Sequence, residues 1–174
     1  MRELRIILTV IFFLIIPISG CEDIVSYPDT PVIDFKKHTV FLTIDELDNK
    51  IALVKLQLEF TDGDGDIGLK QPPEGELPDS LKYNFFLTLY DYKNGNFEEV
   101  ENLEGNQNFR VPYIEREGQN KTLKGDIFID LEYKSIIYDT IFYSFYLVDR
   151  KFHKSNVDSS DVIILSGINL VNNR

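Results

Sequence analysis

Apolar and polar residues alternate with a period of two over several short stretches of this chain, the signature of strands with one buried face. The cleanest stretch is 51–60, where Val54, Leu56, Leu58 and Phe60 alternate with Lys55, Gln57 and Glu59. Residues 82–91 set Tyr83, Phe85, Leu87 and Leu89 on one face, and 122–131 set Ile127, Ile129 and Leu131 against Asp126, Phe128 and Asp130. Partial alternation predicts a first strand near 38–45, closed by turn residues Asp48-Asn49-Lys50. Asn94-Gly95 predicts a tight hairpin, because both residues tolerate positive φ, with a return strand near 97–101. A short strand at 108–114 reads as an edge, since Pro112 cannot donate to a ladder. Aromatic residues on both faces place 140–149 centrally, and 161–166 is the last strand. One helical turn is expected within 132–139.

Seven or eight short strands without an amphipathic helix of ordinary length predict an all-β fold. An antiparallel immunoglobulin-like β-sandwich over residues 34–168 fits the spacing best, with a closed barrel as the alternative. Residues 169–174 should fray. A hydrophobic fraction of 43% leaves room for one real core.

The pattern breaks most sharply after Phe60. Asp62-Gly63-Asp64-Gly65-Asp66-Ile67-Gly68 places three carboxylates at alternate positions, separated by glycines. Oxygen ligands so arranged suit a hard cation such as Ca²⁺. The loop is not an EF-hand: counted from Asp62, the sixth position holds Ile67 instead of Gly and the twelfth Pro73 instead of Glu. A strand-ending turn of Asp and Gly is the competing reading. In a sandwich the loops after 51–60 and 140–149 emerge at one end, so Asp149 joins Asp62, Asp64 and Asp66 as a candidate ligand. The loop carrying Glu115 and Glu117 opens there too. Arg150 competes for the same space, and its pairing with a carboxylate would make the loop a purely structural turn. Asp149 and Asn156 are expected to hold the last loop by side-chain bonds to backbone.

The N-terminus reads as an address. Arg2 and Arg5 precede an apolar run over 6–18, too short to span a bilayer as a helix. Ile18-Ser19-Gly20-Cys21 follows, and Cys21 is the only cysteine of the chain. Small residues before a cysteine resemble the bacterial lipobox, which implies a signal peptide at 1–20, a lipidated Cys21 and a tether at 21–33. Glu22-Asp23 resemble the surface-export signals of Bacteroidota lipoproteins. Together these imply attachment to the cell envelope at the outer membrane, on its periplasmic or its surface face.

A formal charge of −11 makes nucleic acid an improbable partner. His38 and His153 stand alone, so no zinc cluster is readable, and neither a nucleophile elbow nor a phosphate loop occurs. Glu98, Glu99 and Glu101 read as the solvent face of a hairpin. Tyr90, Tyr92, Tyr143 and Tyr146 lie on strands, where core packing accounts for most of them.

The lipobox, the strand running into the acidic loop, Leu123-Lys124-Gly125-Asp126-Ile127, and Asp149-Arg150 before Ser155-Asn156 together resemble a group of uncharacterised Bacteroidota lipoproteins. The last loop is similar to the Asp-Arg-x-Gly-Asn-x-Ser ending of bacterial immunoglobulin-like domains, with Phe152-His153 in place of Gly-Asn. The resemblance implies an envelope-anchored β-sandwich and no activity. The expected function is a non-catalytic binding or accessory module, stabilised by calcium, with an envelope protein or glycan as partner. A structural subunit of a larger envelope assembly is the alternative, and a carbohydrate-active enzyme ranks below both.

Overall fold

The structure is a computed structural model, described here over residues 26–71, 82–101, 107–115 and 121–168. The described residues form an antiparallel β-sandwich of eight strands. One sheet has the order β1-β2-β5, formed by Val32–Ile44, Lys50–Asp62 and Leu123–Tyr133. The other has the order β4-β3-β6-β7, formed by Asn96–Glu99, Phe85–Lys93, Thr140–Leu147 and Asp158–Ser159. β8, Ile163–Ile164, also pairs with β6. The strands form two separate sheets, so the barrel alternative falls. Cys21, Glu22, Asp23 and Glu117 lie outside the described residues, as do the signal segment 1–20 and the tail 169–174.

The core is the meeting of two alternating faces. Val54, Leu56, Leu58 and Phe60 of β2, with Ile129 and Leu131 of β5, pack against Phe85, Leu87 and Leu89 of β3 and Ile141, Tyr143, Phe145 and Leu147 of β6. The Tyr133 and Tyr143 hydroxyls meet inside it. Burial pushes the Tyr133 phenol up to about 12 and that of Tyr143 upward as well.

Several elements differ from expectation. β1 starts at Val32, well before residue 38, and a bulge between Phe35 and Lys37 hides its alternation by shifting the phase: Ile33 and Phe35 face inward before it, His38 and Val40 after it. Segment 108–114 forms no continuous strand. Phe109 bridges Phe85 in one layer, whereas Pro112 bridges Leu69, so the segment changes partner along its length. No helical turn forms within 132–139, since β5 continues to Tyr133 and the chain bends at Lys134 and Ser135. The Asn94-Gly95 hairpin forms as expected, with φ of 51° and 89°.

The last strand is broken into β7 and β8, and side-chain hydroxyls mend its pairing. The Tyr143 N–H donates to Ser160 Oγ at 3.0 Å, and the Tyr143 carbonyl accepts the Ser160 N–H at 2.8 Å. Ser155 does the same for Leu147, at 2.9 Å in both directions. Each hydroxyl then donates to the next carbonyl, of Asp161 and Asn156 respectively. The two serines thus replace ladder carbonyls at positions where the backbone turns away.

Candidate metal centre

β2 positions the first aspartate by its own alternation. Asp62 follows Val54, Leu56, Leu58 and Phe60 on the inward face and is 0% exposed. Its Oδ2 accepts the Ile67 amide at 2.8 Å, which folds the acidic loop back onto the strand end. Its Oδ1 is buried and has no hydrogen-bond partner.

The glycines around it serve close backbone approach. Gly63 donates its amide to the Pro28 carbonyl at 2.9 Å, and a Cβ there would stand 2.2 Å from the Tyr27 carbonyl oxygen. Gly68 has a φ of +91°, and its Cβ would meet the Pro112 carbonyl oxygen at 2.3 Å. The loop is therefore wedged between the incoming segment at 27–28 and the segment at 111–113. Thr122 Oγ1 and the ammonium of Lys124, which lies over the Tyr27 ring, hold the same corner.

Within this wedge, Asp62, Asp64 and Asp66 each present a carboxylate oxygen, and the three oxygens lie within 4.8 Å of one another. Asp66 is 8% exposed. In all three residues Oδ1 is buried without a hydrogen-bond partner. A cluster of this kind can hold a metal ion. Its electrostatics are those of under-compensated negative charge. Burial, then the nearby Asp149, Asp64 and Asp62 charges, push the Asp66 carboxyl up to about 6. Burial raises Asp62 too, reinforced by the charges of Asp64 and Asp149 against the Ile67 amide. At Asp64 burial acts in the same direction, but the hydrogen bond and charge of Lys151 outweigh it and hold that carboxyl below its ordinary value.

The expected convergence of loops occurs. The Arg150 amide donates to the Asp66 carbonyl at 3.3 Å, and Asp149 is buried close enough to raise its neighbours. Its own oxygens are turned to its own loop: Oδ1 accepts the amides of Lys151 and His153 at 2.8 and 2.7 Å, and Oδ2 meets His153 Nδ1 at 2.8 Å. Asp149 therefore stands beside the three-oxygen cluster and shapes its field, outside the group of mutually close oxygens. The expected turn-holding role of Asp149 is met. That of Asn156 is not: its amide group bonds the N–H and the carbonyl of Ile33 across the two sheets.

Among the described residues, Arg150 pairs with no carboxylate. Its guanidinium donates to the carbonyls of Ile67 and Gly68 at 3.2 and 2.9 Å and lies over the Tyr113 ring. The cation on the aspartates is Lys151, whose ammonium contacts Asp64 and stands 3.8 Å from Asp66 Oδ2. Sequence reasoning missed Lys151 because the choice between neighbouring residues depends on how the loop turns. With the residue-150 backbone bound to Asp66, the residue-151 side chain is the one that reaches the acids. The site opens to solvent through a hollow of about 320 Å³ lined by Asp64, Asp66, Tyr113, Glu115, Lys121 and Arg150.

Of the tyrosines noted above, Tyr143 alone is core. Tyr90, Tyr92 and Tyr146 lie on the outer face of the β4-β3-β6 sheet: Tyr90 stacks on Phe142 and Tyr146 on Phe86, and Tyr92 meets Phe97 edge to face. The opposite outer face is charged, with Lys36 on Asp34 and Glu59 and Lys55 on Asp130. Comparison of the chain with family models, curated proteins and solved structures finds no match.

Proposed function

We propose that this chain is a lipid-anchored cell-envelope β-sandwich that acts as a non-catalytic binding or accessory module and is stabilised by calcium at residues 62–66. The carrying observation is the trio of Asp62, Asp64 and Asp66 oxygens within 4.8 Å of one another, each carboxylate with a buried, unpartnered oxygen. Two oxygens bound to one calcium at about 2.4 Å are at most about 4.8 Å apart, so the spacing suits that ion. Three aspartates supply part of the 6–8 oxygens calcium takes, and the open hollow admits water for the remainder. All-oxygen ligation disfavours zinc, which prefers nitrogen and sulfur.

The strand order β1-β2-β5 against β4-β3-β6-β7 supports the immunoglobulin-like reading of the sandwich. The lipid anchor rests on the residues before Cys21. The structure adds that Tyr27 and Pro28, only a few residues further on, pack directly on the acidic loop. A second reading, a subunit of a larger envelope assembly, draws on one feature. Phe41, Leu42 and Ile44 of edge strand β1, with Leu47 in the following turn, are exposed.

Melting of the purified chain with millimolar calcium and with chelator tests the metal reading. A higher melting temperature in calcium is expected, and an unchanged one refutes the site. Fractionation tests the anchor: Cys21→Ser should release the protein from membranes, and a variant that stays bound refutes lipidation.

A further inference from the structure

Lys151 is the one described cation whose charged group touches the aspartate trio, since Arg150 is spent on the Ile67 and Gly68 carbonyls. Its backbone is fixed, because its amide donates to the buried Asp149 at 2.8 Å. Its side chain is 56% exposed and reaches the acids from the solvent side. The lysine is thus a charged arm on a rigid mount, free to swing out without disturbing the core.

We propose that Lys151 is a built-in, displaceable counter-ion: it occupies the cation position in the metal-free protein and is expelled when a divalent ion binds. The inference rests on the metal reading above. It follows from charge and space. An ammonium on Asp64 Oδ2 and 3.8 Å from Asp66 Oδ2 would lie close to any ion held through the Oδ1 atoms of the same carboxylates, and two cations at such range repel. One positive charge neutralises only part of three clustered carboxylates, two of them buried. A doubly charged ion neutralises more and also fills the coordination of the unpartnered Oδ1 atoms, which the lysine leaves unsatisfied. A sodium or potassium ion brings no more charge than the lysine already supplies. Lys151 therefore sets a threshold that selects divalent over monovalent cations and weakens the site to a range where calcium exchanges.

Calorimetric titration of the full chain with calcium chloride, in wild type and in Lys151→Met, tests this. Removal of the competing ion pair should tighten calcium binding about five-fold, the equivalent of about 1 kcal/mol. Lys151→Arg, which keeps the charge, should stay near wild type. Acetylation footprinting of the wild-type chain gives a second readout that needs no variant: Lys151 should become more reactive when calcium is added, while Lys55 and Lys93, remote from the acidic loop, do not change. If wild type binds calcium and Lys151→Met binds equally or more weakly, or Lys151 reactivity does not rise, the displacement is refuted and the metal reading stands. If neither protein binds calcium at millimolar concentration, both fall.

Discussion

Asn156 is joined to Ile33, 123 residues earlier, by two hydrogen bonds of 2.9 Å that copy a backbone ladder: the Ile33 amide donates to Asn156 Oδ1, and Asn156 Nδ2 donates to the Ile33 carbonyl. Asp158 extends the seam, accepting the Phe35 amide on Oδ2 at 2.7 Å. These side chains fasten the lower edge of β1 to the opposite sheet. Asn156→Ala strands both Ile33 groups and should cost about 1–2 kcal/mol in chemical denaturation. Asn156→Asp keeps one acceptor and loses the donor, so it should fall between wild type and the alanine variant.

Asp62 separates the metal reading from a purely structural loop. Asp62→Asn keeps an acceptor for the Ile67 amide while removing a buried charge that Asp64 and Asp149 oppose. In chelator this variant should match or exceed wild-type stability, yet it should lose any calcium-induced rise in melting temperature. A variant that is less stable in chelator and retains the full calcium response would contradict the assignment.

The metal-free protein should respond to acid in an unusual direction. The Asp66 carboxyl sits at about 6 in the folded chain against an ordinary value of 3.8. Between these values the folded state holds a proton that the unfolded state has lost, so stability falls as pH rises through this window. Asp62, also raised, acts in the same sense. Asp64 is lowered and acts oppositely: its contribution with Lys151 is present above its ordinary range and is lost on stronger acidification. In chelator, melting temperature should therefore rise from neutral pH towards about pH 5 and decline below about pH 4. Saturating calcium should abolish the rise, since protons then compete with the ion for the same oxygens.

How much of this was legible beforehand differs residue by residue. The burial of Asp62 is written in its phase with Phe60, and the approach of Asp149 follows from which strands precede the two loops. The lower half of β1 escaped detection because one bulge after Phe35 moves the inward positions from 33 and 35 to 38 and 40, which cancels a period-two pattern. The break in the last strand was invisible too, since a serine hydroxyl in a carbonyl's place leaves no hydrophobic trace. Lys151 and the Asn156 seam depend on loop direction and on contacts made only after the sheets meet.

Ser160 offers a direct check on that substitution. Ser160→Ala leaves the buried Tyr143 amide without its acceptor and should cost about 1–3 kcal/mol in denaturant unfolding. Hydrogen exchange should show faster exchange at Tyr143, with the paired β1–β2 amides unchanged.

Gly63 tests the wedge. Gly63→Ala drives a Cβ into the carbonyls of Tyr27 and Pro28 and should detach the incoming segment, seen as faster exchange of the Gly63 position's amide and proteolysis near residue 27. Gly95→Ala meets no atom within 4 Å and should cost only the strain of its positive φ, about 1 kcal/mol.

The placement of β1 has a mechanical consequence. This strand begins beside the acidic loop and the incoming segment and ends at the opposite tip, in the turn held by Asp45 and Asn49. Its thirteen residues span about 43 Å already near full extension. Under the anchor and the assembly proposed above, a pull between the N-terminus and a partner gripping that tip would run along the covalent backbone of this one strand. The sheets would hang from it as passengers, with no ladder sheared and no core opened.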